Sequence, residues 1–130
     1  MSMINVPISV GELLDKITIL QIKSKAIKDN NQLKNIQREL RELEDVRDRY
    51  VPHNDELLEL FNKLGEVNQK LWNIEDDIRV CEKNKLFEDK FIQLARSVYF
   101  TNDIRANIKK EMNLLTGSEL VEEKSYEDYT

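Results

Sequence analysis

Chain breakers are scarce in this sequence. Three glycines and two prolines in 130 residues leave few places where the backbone can reverse, so the segments between them must be long. Long helices meet that requirement better than many short strands. One cysteine excludes an internal disulfide, and one histidine, with no second His or Cys at ligand spacing, gives no zinc-type site. No stretch approaches the ~18 uncharged apolar residues that span a bilayer. No charged start followed by an apolar run marks the N-terminus for export, and no basic stretch carries interleaved aromatics for nucleic acid. These absences set the expectation of a cytoplasmic protein that needs no cofactor and binds neither membrane nor nucleic acid.

Charge is plentiful, at 35% of residues, but unevenly placed. Five of the 25 acids and only one of the 20 bases fall in 117–130, so that tail is acidic while the rest is close to neutral. A chain of this length suits one domain of about 100–150 residues. The expected organisation is a single helical domain over 1–116 and an acidic C-terminal tail over 117–130, with four apolar or aromatic anchors in the tail at Leu120, Val121, Tyr126 and Tyr129.

Ser9-Val-Gly-Glu12 matches a capping box and starts helix 1 near Val10. Apolar residues at Val10, Leu13, Ile17, Leu20 and Ile27, with a second flank at Leu14, Ile19, Ile22 and Ala26, predict a helix packed on two sides and therefore central. A second cap at Asp29-Asn-Asn-Gln32 predicts a break or kink, although the 3-4 spacing of Ile19, Ile22, Ala26, Leu33, Ile36, Leu40 and Leu43 across it also admits one continuous rod. Helix 2 stops near Tyr50, because Pro52 disfavours helical geometry before it. From Leu57 the apolar positions Leu60, Leu64, Val67, Leu71, Ile74, Ile78 and Cys81 alternate at spacings of 3 and 4, a coiled-coil pattern over roughly 30 residues or about 45 Å. A turn at Asn84-Lys-Leu-Phe87 leads into helix 4, with its inward stripe at Phe91, Leu94, Ala95, Val98, Ile104, Ile108, Met112 and Leu115, and Gly117 suits its C-terminal cap. The fold class expected is all-α: an elongated antiparallel bundle built on a long helical hairpin with coiled-coil-like packing.

Polar groups fall on the inward side of that hairpin. At 100° per residue, Asn102, Arg105 and Lys109 lie within about 40° of the helix 4 stripe, and Glu75 and Glu82 within about 40° of the helix 3 direction. Together with Arg96 they make a candidate polar seam: Glu75, Glu82, Arg96, Asn102, Arg105 and Lys109. A coarse hairpin register sets Asn68 opposite Arg105. As a site, the bases would hold an anionic group and a glutamate would accept a proton. As structure, the same residues are ion pairs that fix register. A kink at Thr101-Asn102-Asp103 would rotate Arg105 to the edge of the stripe. No residue is assigned a catalytic role, and the chain reads as more plausibly not an enzyme.

Two partial likenesses carry little. Glu75-Asp76-Asp77 and Glu82, with Glu39, Glu42 and Asp45, resemble the acidic sets by which all-α nucleotide pyrophosphohydrolases gather Mg²⁺, but not in their order. ELLDKITILQIKSKAI resembles the opening helix of helical chorismate mutases over less than a quarter of the chain. Cys81 on a heptad position and Trp72 on a flank read as packing residues.

The strings ISVGELLDKITILQIKSKAI, LWNIEDDIRVCE, FIQLARSVYFTNDIRANIKKEMN and SELVEEKSYEDY resemble an uncharacterised family of bacteria and their phages over nearly the whole chain. The resemblance implies a domain of unknown function, sometimes near or fused to glycosyltransferase-type proteins of surface-polysaccharide synthesis, and it supplies no catalytic residue. The expected function is a non-enzymatic interaction or accessory module that forms a homodimer or recruits a protein partner. The alternative is a small all-α enzyme or ligand binder acting on a phosphorylated or nucleotide-sugar compound.

Overall fold

A computed structural model describes residues 3–120 and 123–129. Four helices follow one another: α1 Val10–Ala26, α2 Asn30–Tyr50, α3 Asp55–Lys83 and α4 Asp89–Thr116, with no strand among the described residues. The all-α class read from the sequence holds. Each boundary has a local cause. The Ser9 hydroxyl accepts from the Glu12 backbone N–H at 3.1 Å, which satisfies one orphan donor of α1. Glu12, the expected reciprocal partner, turns its carboxylate to Lys109 instead.

Helices α1 and α2 are two rods and not one. Ile27 and Asp29 are extended, and the Asp29 carboxylate caps α2 by accepting from the Gln32 N–H at 2.9 Å. Asn54 caps α3 the same way, three residues before the leucine pattern begins. Helix α4 runs unbroken to Gly117, so no kink interrupts it at Thr101–Asp103. Gly117 takes a left-handed φ of 66°, and the Ser118 N–H donates to the Asn113 carbonyl at 2.9 Å. That Schellman arrangement closes the helix and turns the chain back along α4.

Helix α1 is the hub, packing against α2, α3 and α4, whereas α2 meets no helix but α1. The core consists of Leu13, Leu14 and Ile17 from α1, Leu57 and Leu64 from α3, and Ile108 and Met112 from α4. Leu40 and Leu43 of α2 lie against it half-buried. No α2 residue is buried, so its apolar stripe is only partly covered. Leu57, Leu64, Ile74 and Cys81 of the expected coiled-coil pattern are buried.

Gly11 explains how closely α1 approaches α4. A Cβ there would stand 2.6 Å from the Lys109 carbonyl oxygen, so only glycine lets the two backbones come this near. The Asn113 side chain uses the proximity, its Oδ1 accepting from the Gly11 N–H at 2.7 Å. With Asn113 2% exposed, this bond satisfies a donor that the start of a helix otherwise leaves to water.

Candidate functional site

The polar residues of the hairpin gather around α1, not around each other. Asp15, 1% exposed, lies at the centre. Its Oδ1 accepts from Arg105 Nε at 3.0 Å and from Asn68 Nδ2 at 2.8 Å, while Arg105 Nη2 donates to Oδ2. The guanidinium therefore engages the carboxylate at two points, the geometry that suits arginine best. Lys109 Nζ stands 3.6 Å from Asp15 Oδ2 and donates to Glu12 Oε2 at 2.8 Å. Asn68 Nδ2 also reaches Thr18 Oγ1 at 2.7 Å, and that hydroxyl donates to the Asp15 carbonyl at 2.8 Å.

The quartet of Glu12, Asp15, Arg105 and Lys109 is neutral as a set. Burial pushes the Asp15 carboxyl up, but hydrogen bonds from Arg105 and Asn68 and the charges of Arg105 and Lys109 outweigh it, and its pKa is held below 3.8. Among the described residues no buried side-chain nitrogen or oxygen lacks a partner. Pairing this complete holds the Arg105 and Lys109 side chains in place against Asp15.

The structure divides the six candidate residues. Arg105 and Lys109 enter the cluster, and Asn102 stands half-buried on its rim. Glu75, Glu82 and Arg96 are exposed toward the free end of the hairpin and take no part. The acid that Arg105 meets is Asp15 rather than Glu75 or Glu82. The predicted register of Asn68 opposite Arg105 is realised through the one oxygen they share. Sequence reasoning missed Asp15, Glu12 and Asn113. The signal for Asp15 was present: Gly11, Asp15, Thr18 and Ile22, at i, i+4, i+7 and i+11, form one wholly buried stripe of α1.

Above the cluster lies a cleft of about 960 Å³ between α4 and the returning C-terminal segment. Arg105, Lys109 and Lys110 line one wall, and Glu123, Glu127 and Asp128 the other. Tyr129 pins the far end of the segment. Its ring packs edge-on against Phe100, with centroids 4.9 Å apart, and against Tyr99 at 5.1 Å, while its hydroxyl donates to the Asp103 carboxylate. That bond, with smaller contributions from burial and neighbouring negative charge, pushes the phenol up to about 12. Of the other expected anchors, Leu120 and Tyr126 are exposed, and Val121 lies outside the described residues.

No three His, Cys, Asp or Glu side chains are placed to hold a metal ion among the described residues. The acids of α2 and α3 that resemble a Mg²⁺ set stand on helices whose backbones do not pack together. No described helix is long and apolar enough to cross a membrane.

A model of a family described as "Family of unknown function (DUF6165)" matches residues 4–129. No curated protein and no solved structure matches the chain.

Proposed function

The chain belongs to that family of unknown function, and we propose, from its exposed surface, that it is a non-enzymatic interaction module that self-associates through the free end of its α3–α4 hairpin. One observation carries the reading. Thr18 is level with Asn68, so α1, which ends at Ala26, runs out near the level of residue 76, and the hairpin continues about 10 Å beyond it. There Val80, Leu86, Phe87 and Ile92 are each about half exposed. Large apolar side chains concentrated at one end of a helical arm form a surface that association with a second copy would bury. Glu75, Glu82 and Arg96, exposed beside this end, then belong to a polar rim.

The interior favours the same reading over chemistry. Asp15 already accepts from Asn68 and Arg105, and its lowered pKa makes it a poor proton acceptor near neutral pH. An accessory role in surface-glycan synthesis rests on the resemblance in sequence alone.

Light scattering at micromolar concentration tests the proposal. A dimer is expected for the native chain and a monomer of unchanged helicity for the double variant Val80→Asp, Ile92→Asp. A native chain that stays monomeric across that range defeats the self-association.

A second reading, binding of an anionic compound such as a nucleotide sugar, is favoured by the row of Arg105, Lys109 and Lys110 along the cleft. A thermal-shift series with nucleotide sugars at millimolar concentration tests it, and no stabilisation by any of them removes it.

A further inference from the structure

Two apolar features stand uncovered at the end of the molecule away from the hairpin turn. The first is the segment ahead of α1. Residues 3–8 are neither helix nor strand, and among the described residues none of them makes a hydrogen bond, ion pair or ring contact. Ile4 is 89% exposed, Val6 67% and Ile8 39%. In an extended chain alternate positions share one side, so the segment is an arm with one apolar edge. The family match begins at residue 4 and so takes in this arm.

The second feature is a cleft of about 300 Å³ at the foot of α3. Its apolar lining comes from Leu14 of α1, Val51 and Pro52 of the α2–α3 connection, and Leu57, Leu58 and Phe61 of α3. Leu58 is exposed. The charged lining residues, Arg47 and Asp48, hydrogen-bond each other, and residues 3–8 carry no charge at all. An uncharged apolar edge and a charge-balanced apolar cleft suit one another. They are also neighbours, because Leu14 lies five residues past Ser9, about 7.5 Å along the helix axis.

The arm is poorly suited to filling the cleft of its own chain. It contains no glycine, Pro7 keeps Val6 out of helical geometry, and Ser9 at the joint is extended with φ −73° and ψ 160°. Six residues without a reversal reach about 20 Å off the start of α1. The cleft lies back along that helix, beside Leu14.

We infer that two copies of the chain exchange these arms, each laying Ile4, Val6 and Ile8 into the cleft of the other about a two-fold axis at this end. A reciprocal exchange requires that arm and cleft stand close together on each copy, and their spacing on α1 meets that condition. Two apolar edges and the cleft walls they cover would remove on the order of 1,500 Å² from water, the size of a standard interface. Ordering two six-residue arms offsets much of that gain, which puts the exchange at about 100 μM or weaker. The inference goes beyond the hairpin association, uses the opposite end of the molecule and does not require it.

The test therefore silences the hairpin end. In the full chain carrying Val80→Asp and Ile92→Asp, a ¹⁵N-labelled copy is mixed at 500 μM with an unlabelled copy bearing a nitroxide at Met3→Cys. Met3 falls on the side of the arm opposite Ile4, and Cys81 is buried and escapes the label. Amides of Leu57, Leu58 and Phe61 are expected to broaden in the ¹⁵N copy, while those of the hairpin turn do not. Leu58→Asp in the ¹⁵N copy, or Ile4→Asp with Val6→Asp in the nitroxide copy, is expected to abolish the broadening with helicity unchanged. Three results would overturn the exchange: no broadening in the mixture up to 1 mM, broadening that survives these substitutions, or broadening only when label and ¹⁵N share one chain, which would make the arm a lid in cis. A native chain that is monomeric at micromolar concentration while the mixture broadens as expected removes the hairpin association and leaves the exchange standing.

Discussion

Asn68 and Arg105, on opposite arms of the hairpin, donate to the same oxygen of Asp15. One carboxylate from α1 thus fixes the relative height of three helices. The two donors reach it from different directions, so sliding any one helix breaks at least one bond.

The asymmetry between breaking and replacing such a cluster is measurable. Asp15→Ala leaves Arg105 and Lys109 facing each other without their shared acid, and a loss of about 3–5 kcal/mol is expected. The pair of changes Asp15→Leu and Arg105→Met removes both charges, and its cost is expected to fall well below the single change. Urea denaturation of the three chains checks the order, and an Asp15→Ala chain as stable as the native one contradicts the role given to the cluster.

The depressed Asp15 pKa predicts a particular acid dependence. Because the folded value lies below the unfolded value near 3.8, the cluster's contribution is complete above that pH. It is lost as pH falls from about 3.8 through the folded value. Urea midpoints measured from pH 6 down to pH 2 should fall more steeply for the native chain than for Asp15→Asn in that range. Parallel curves would show that Asp15 titrates as it does in the unfolded chain.

Two helical glycines should respond with opposite sign. Gly11→Ala places a methyl 2.6 Å from the Lys109 carbonyl, and a loss of about 1–3 kcal/mol is expected as α1 is pushed off α4. Gly65→Ala meets nothing within 4 Å and replaces the poorest non-proline residue for a helix interior, so a gain of about 0.5–1 kcal/mol is expected. Thermal melts of the two variants are sufficient.

Tyr129 should titrate late. Its phenol, raised to about 12 chiefly by the hydrogen bond to Asp103, should move back toward 10 in Asp103→Asn. Ultraviolet titration of the tyrosines checks this. A Tyr129 that ionises near 10 in the native chain would mean that the bond does not form in solution.

How much of this could be read in advance depends on how local each feature is. Ser9 and Asp29 announce their helix starts within three residues, because a cap is a contact between neighbours in sequence. The α3 repeat from Leu57 to Cys81 is equally plain, since a buried stripe leaves its own period. The polar seam was harder. Asn68, Glu75 and Glu82 are spaced by seven and point along one side of α3, so a helical plot treats them alike. Only Asn68 meets Asp15, because α1 covers that level and ends before Glu82. Where a neighbouring helix stops is a tertiary fact with no periodic trace. The stripe of Gly11, Asp15 and Thr18 was overlooked for a related reason: none of the three is apolar, and a search for apolar spacing passes over them.

The attachment of α2 to α1 alone has a consequence for motion. No α2 residue is buried, and its backbone packs closely against α1 alone. The Asp15 cluster and the packing of α1 between α3 and α4 involve none of its side chains. Free energies of local opening follow how much each segment buries, so among the four helices α2 is expected to exchange its amide protons first while the other three stay assembled. The molecule is built to open at one helix before it unfolds.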